Sequence, residues 1–238
     1  MTNKGVSSNT TRRFEYTEEE MGHAFEKALI DTRGVNGIGN FSRVFREVNC
    51  QRGRPDFIAF KPGSSDFLSG EAFKLKYSGS LVLSFLHQRA PRTQGYLVAQ
   101  SGLTMRAIKA ALDELVSRQY VIVTPTGSFL LNSAMTLHDI EVWAFELKLD
   151  KPKRAVFQAQ QYRSFAQNVL IVVPPSQIPL YAKFNLALRR WGIGLASFEP
   201  TFSEFILYRA PRLCQANSRH QQAYALFQLL GEPDSGER

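Results

Sequence analysis

Two side chains of opposite charge stand two apart in an apolar run. Residues 142–149 read VWAFELKL, with Glu146 and Lys148 on either side of Leu147. The period of a strand is two, so both side chains leave the same face, where a buried strand normally carries apolar groups. Upstream, Asp56 heads a second apolar run, FIAF, directly after Arg54 and Pro55. Downstream, Gln158 and Tyr162 are four apart, the spacing that makes neighbours on a helix. Carboxylates beside an ammonium suit a hard divalent cation such as Mg²⁺. That ion takes oxygen ligands, often one or two carboxylates completed by phosphate and water. It stabilises charge on a phosphate and lowers the pKa of its water.

The elements that must carry these groups are legible from their periods. After the 142–149 strand, Ala155, Ala159, Tyr162 and Ala166 fall on one helical stripe with Gln158 at its edge. Residues 169–173 form another apolar run, stopped by Pro174 and Pro175. Strand, helix and strand in this order predict a right-handed crossover between two parallel strands. Residues 41–50 predict a strand that turns through 51–54 into the Asp56 strand, an antiparallel hairpin. Thr17 and Glu20 form a T-x-x-E capping box. It opens a helix to about Ile30 with Met21, Phe25, Ala28 and Leu29 inward and Glu18 on the same stripe. The Gly-rich residues 34–39 lack the Lys of a P-loop and read as a loop. His23 reads as a helix-surface residue.

Pro-Asp, then Glu-x-Lys, then Gln-x-x-x-Tyr resembles the PD-(D/E)XK nuclease superfamily over about residues 17–61 and 138–198. The resemblance implies an α/β, restriction-endonuclease-like core, a mixed sheet flanked by helices. It implies Asp56 and Glu146 as ligands of Mg²⁺ or Mn²⁺, with Glu18 from the opening helix as a third. Lys148 would orient or activate the attacking water, and Gln158 and Tyr162 would support the site. Arg52 and Arg54 would lie where they contact phosphate, or remain solvated turn residues. Against this stands a plainer interpretation, a surface ion pair with a capping Asp.

Between the Asp56 and Glu146 strands lies a segment the nuclease resemblance does not explain. Residues 61–79 read as a linker with a short strand or turn. Residues 80–131 read as an inserted unit. One helix carries Leu81, Val82, Phe85 and Leu86; a second spans about 93–100 with Tyr96, Leu97 and Ala99 inward. A third carries Ile108, Ala111, Leu112 and Leu115, and a hairpin follows with a turn at 125–127. The run LVAQSGLTMRAIKAALDELVSRQYV resembles the winged helix-turn-helix family. That implies DNA contact by Met105, Arg106 and Lys109, with Thr104 committed to capping. Winged helices also hold protein partners. The expected organisation is a flexible segment at 1–16, a discontinuous core at 17–79 and 132–238, and the insertion at 80–131.

The chain has 238 residues and a net charge of +8, which favours a polyanionic partner. Two cysteines, Cys50 and Cys214, far apart in sequence, exclude a zinc cluster made of cysteines and give no disulfide framework. No apolar stretch reaches membrane-spanning length. Residues 1–13 carry no hydrophobic signal core, and the expectation is a cytoplasmic protein. The remainder predicts a helix at 178–190, a last sheet strand at 191–197, a basic connection at 209–219, a closing helix at 220–230 and a frayed tail. Arg189 and Arg190 would extend a phosphate-binding surface or cap a helix C-terminus. The expected function is metal-dependent hydrolysis of DNA phosphodiesters. The alternatives are a non-catalytic DNA-binding regulator and a protein-interaction adaptor on the same scaffold. Cutting both strands would call for two active sites, which makes a homodimer the natural assembly.

Overall fold

The computed structural model describes residues 14–31, 35, 37–41, 43–61, 75–133 and 140–230. The expected flexible segment before residue 14, the linker over 62–74 and the tail at 231–238 lie outside these residues, as do 34 and 36 of the Gly-rich loop.

The chain is α/β, a mixed six-stranded sheet flanked by helices. Its strands are β1 (Arg43–Arg46), β2 (Phe57–Phe60), β5 (Val142–Leu147), β6 (Asn168–Val173), β7 (Ile193–Glu199) and β8 (Glu204–Arg209). They lie side by side in the order β1-β2-β5-β6-β7-β8. The β5–β6 and β6–β7 pairs are parallel; β1–β2, β2–β5 and β7–β8 are antiparallel. Central parallel strands are covered on both faces and read as continuous apolar runs. Every residue of β5 and β6 is buried accordingly.

The period of two divides the core into two layers. Ile58, Phe60, Ala144, Val169 and Ile171 face one way, against α5 (Pro152–Tyr162) and α7 (Arg219–Leu230). Phe57, Ala59, Phe145, Leu147, Leu170 and Val172 face α1 (Glu18–Ile30). Helix α1 starts at the expected capping box: Thr17 Oγ1 accepts from Glu20 N at 3.1 Å, and the Glu20 side chain accepts from Thr17 N at 2.7 Å. Met21, Phe25 and Leu29 are fully buried.

Several expected bounds shift for identifiable reasons. Of the expected 41–50 strand, Arg43–Arg46 is extended, and it ends where Glu47 takes a positive φ of 54°, although the Glu47 N–H still reaches Asp56 O. Helix α5 ends at Tyr162, so Ala166 is buried from the following turn rather than from the helix. The helix expected at 178–190 is a 3₁₀ segment, Pro175–Phe184, followed by α6 (Asn185–Trp191), with Pro179 inside the first. The strand expected at 191–197 is β7, and it is not last. β8 beyond it alternates exposed and half-buried residues, as an edge strand does.

The segment between β2 and β5 builds α2 (Tyr77–Phe85), α3 (Gln94–Ser101), α4 (Met105–Ser117) and a hairpin of β3 (Val121–Val123) and β4 (Phe129–Leu131). Its helix starts at Tyr77, inside the stretch read as linker. Ala99 is exposed and Tyr96 half-buried, so α3 buries only Leu97. The unit is not independent of the sheet layer. Phe227 of α7 sits in its core, 5.2 Å from the Tyr120 ring, while Ala225, Leu226 and Leu229 of α7 pack in the sheet core. Among the described residues no helix is long and apolar enough to cross a membrane.

Candidate active site

Asp56 and Glu146 meet because β2 runs antiparallel to β5. The start of β2 therefore lies beside the end of β5, with Phe57 opposite Phe145. At this point the ladder opens. Asp56 N still donates to Phe145 O at 3.1 Å, but Leu147 N donates to Asp56 Oδ2 at 2.6 Å instead of to backbone. A carboxylate thus replaces a ladder bond at the mouth between the strands.

Lys148 follows the last strand residue and continues the parallel pairing, donating N–H to Val172 O at 3.1 Å. Its side chain is 10% exposed and lies among three carboxylates. Nζ donates to Glu18 Oε1 at 2.8 Å and to Leu147 O at 2.7 Å. It stands 3.0 Å from Glu146 Oε1 and 3.8 Å from Asp56 Oδ2. The ion-pair contact with the ammonium is the one that Glu146 Oε1 makes among the described residues. The other oxygen, Oε2, accepts from Tyr162 Oη at 2.5 Å.

Tyr162, Gln158 and Gly53 form the support. Tyr162 is fully buried and lies 3.2 Å from Arg54 O as well. Gln158 bonds the Tyr162 hydroxyl, and its Oε1 is buried with no hydrogen bond among the described residues. Gly53 takes φ +137°, and a Cβ there would meet Tyr162 Cε1 at 2.6 Å. The hairpin turn needs glycine both for its backbone and for the ring that steadies Glu146.

Burial governs the electrostatics. It raises the Glu146 carboxyl to about 7, aided by the Asp56 charge and opposed by Lys148. Burial likewise raises Asp56, against the pull of Lys148 and the Leu147 N–H. For Lys148 burial disfavours the ammonium, but Asp56, Glu146 and Glu18 outweigh it and hold the pKa above the ordinary value. Burial, then Glu146, raise Tyr162, which remains a hydrogen-bond donor.

These shifts carry a prediction. Glu146 holds its proton to about pH 7 in the fold, against 4.5 ordinarily, so the folded state binds more protons in that window. Its contribution to stability is therefore full below the lower value and is lost as pH rises through the upper one. With chelator present, wild type should lose stability relative to Glu146→Gln between those limits, read by guanidinium unfolding at each pH. A constant difference across the range would contradict the buried, proton-holding carboxyl.

The donor set fits a hard cation. Glu18, Glu19, Glu47 and Asp56 line a cleft of about 510 Å³ that also meets Gly22, Arg46, Phe57 and Leu147. The excess of carboxylates repels an anion, so a phosphate needs a cation between. Glu146 lies buried behind this lining, with Oε1 3.0 Å from the Lys148 ammonium. The acids are spread around the Lys148 ammonium; among the described residues no three His, Cys, Asp or Glu close into a metal cage.

The other expected site residues divide. Arg54 is paired with Glu47, and Arg52 is exposed in the turn. His23 is on the surface beside Arg46 and Glu19, as expected. Met105, Arg106 and Lys109 are exposed at the start of α4, and the Thr104 hydroxyl accepts from Ala107 N at 3.3 Å. Three neighbours of the site were not read from sequence. Glu47 and Arg46 reach the cleft because Glu47 N pairs with Asp56 O across the hairpin. Tyr181 is buried in the 3₁₀ segment, its hydroxyl makes no hydrogen bond among the described residues, and burial and then Glu146 oppose its ionisation. A hairpin register would have given Glu47; nothing local marks Tyr181.

Comparison with known protein families, with curated proteins and with solved structures finds no match for this chain.

Proposed function

We propose that the chain is a metal-dependent DNA endonuclease of the PD-(D/E)XK type, with residues 77–131 acting as a winged helix-turn-helix that positions the DNA. One observation carries the reading. Glu18, Asp56 and Glu146 gather around the Lys148 ammonium, within 4 Å of it, where two strands part. A structural ion pair needs one acid. Three acids around one buried cation cost desolvation that packing does not repay, and such clusters concentrate where chemistry is done.

Asp56 and Glu146, with Glu18 beside them, would hold Mg²⁺ or Mn²⁺. Bound there, the ion supplies charge neutralisation at the phosphate and a more acidic water. The chain supplies the rest. Lys148 donates from Nζ to a phosphate oxygen and stabilises the charge that develops there, while its position fixes where the attacking water sits. The water oxygen bonds phosphorus and gives up a proton to bulk water, the P–O bond to the leaving sugar oxygen breaks, and that oxygen takes a proton from bulk water in return. Tyr162 holds Glu146 through Oε2 and Gln158 packs behind it, so the carboxylate keeps one orientation. Arg106 and Lys109, exposed on α4 with the half-exposed Met105, are available for a duplex, and the net charge of +8 favours that partner.

The test is cleavage of supercoiled and linear DNA with Mg²⁺ or Mn²⁺, beside EDTA and Asp56→Asn. Nicked or linear product that needs metal and disappears in the variant is the expected result. Binding without cleavage, across DNA forms and both metals, would leave a DNA-binding regulator on this scaffold. Accumulation of nicked circles before linear ones would indicate that sites act one strand at a time; direct linearisation would favour a homodimer.

A further inference from the structure

A second cleft of about 610 Å³ opens at the start of α5, lined by Lys151, Lys153, Arg154 and Phe157 from one side and Lys183 and Phe184 from the other. Two rings and the stems of four cationic side chains line it, and among the described residues no carboxylate does. Asp150 reaches Lys151 only at 4.0 Å. Phe157 is 59% exposed, although α5 has a buried face that could have taken it. Lys183 Nζ lies 5.3 Å from the centre of the Phe184 ring. Lys153 and Arg154 also stand in the first turn of a helix with no acid there, where the helix dipole repels cations. Helix α1 places three acids in its own first turn. Cations held against a dipole beside the bare Phe157 ring, with the half-buried Phe184 at its side, describe a surface made for something anionic and flat.

We propose that this cleft is a platform for an unpaired strand of nucleic acid, with a base stacked on the exposed Phe157, the half-buried Phe184 forming the wall beside it, and phosphates met by Lys151, Lys153, Arg154 and Lys183. The proposal rests on, and deepens, the reading of the neighbouring site as a nucleic-acid hydrolase. A duplex keeps its bases stacked on one another and has no use for exposed rings; an unpaired strand presents π-faces of any sequence. The position suits a strand leading to the carboxylates. Lys151 follows Lys148 by three residues, so their Cα atoms are within about 11 Å. Phe184 also touches Tyr181, ring centres 6.2 Å apart, and Tyr181 lies beside the site. An acidic peptide would use the cations and leave the rings idle.

The experiment is fluorescence anisotropy of the full chain in EDTA with labelled oligo-dT and with a blunt duplex of the same length. Wild type should bind oligo-dT, and Phe157→Ala should weaken that binding about ten- to a hundredfold, the size of one lost stacking contact, without change for the duplex. Phe157→Trp should keep the affinity. Lys183→Ala should lower the salt slope for oligo-dT by about 0.7. The proposal is overturned if wild type does not bind oligo-dT, if Phe157→Ala binds it normally, if both DNA forms weaken equally, or if polyglutamate competes as well as oligo-dT. The readout needs neither metal nor cleavage. A wild type that binds oligo-dT through Phe157 and cuts nothing retains the platform and loses the hydrolase; one that cuts while Phe157→Ala binds normally loses the platform alone.

Discussion

Lys148→Ala should abolish metal-dependent cleavage, by a hundredfold or more, and should also destabilise the protein in a way that a divalent cation repairs. The ammonium is the shared counter-charge of Glu18, Asp56 and Glu146. Removing one partner of a buried ion pair costs about 3–5 kcal/mol because the charge left behind has lost its compensation. The variant has an escape that sets the pH dependence. Lys148 lowers the Glu146 pKa, so without it Glu146 keeps its proton to still higher pH. In EDTA the loss of melting temperature should be modest at pH 5.5 and large at pH 8. Mg²⁺ at pH 8 should return more stability to the variant than it adds to wild type, because it supplies the missing positive charge. Cleavage should not return, since the metal does not replace the donor at Nζ. A variant that melts like wild type at pH 8, or still cuts DNA, would show Lys148 to be an ordinary surface cation.

Gly53→Ala should be nearly as damaging, from a residue with no chemistry of its own. The backbone there has φ +137°, and the added methyl would lie 2.6 Å from Tyr162 Cε1. Strain and overpacking each cost about 1–3 kcal/mol, and the ring cannot retreat without leaving Glu146 Oε2. A loss of about 3 kcal/mol is expected in guanidinium unfolding, with cleavage falling because Glu146 is no longer held. The decisive measurement is a double-mutant cycle. Tyr162→Ala should cost much less in the Gly53→Ala background than in wild type, because the first change has already displaced the ring. Additive costs would mean that the turn and the ring are independent.

What was legible in the sequence is what is encoded within a few residues. The capping box of Thr17 and Glu20, the buried stripe of α5, the two-residue spacing of Glu146 and Lys148, and the apolar runs of β5 and β6 all rest on local periods. From their order the antiparallel hairpin and the parallel crossover followed, whereas the meeting of Asp56 and Glu146 was expected only from the resemblance to the nuclease superfamily, since no local pattern pairs β2 with β5. Boundaries were less legible, since Glu47 and Pro179 interrupt elements whose patterns continue past them. The edge strand β8 was missed because half its residues are exposed and its apolar signal is diluted.

Other features exist only in the tertiary structure. Glu18 reaches Lys148 across 130 residues of chain, and its place on the α1 stripe did not say which partner it would find. Leu147 N turning to a carboxylate in place of a ladder partner depends on where β2 and β5 part. Arg54 looked as available as any arginine until the hairpin placed Glu47 beside it. Phe157 and Phe184 fall in one cleft only because α5 and the 3₁₀ segment pack together. The sharing of α7 between the sheet layer and the 77–131 unit is of the same kind. The physical reason is common to all of them. Capping and periodicity act over one turn or one pleat, whereas the surroundings of a charged or aromatic side chain are set by strands and helices distant in sequence, whose approach is decided by packing.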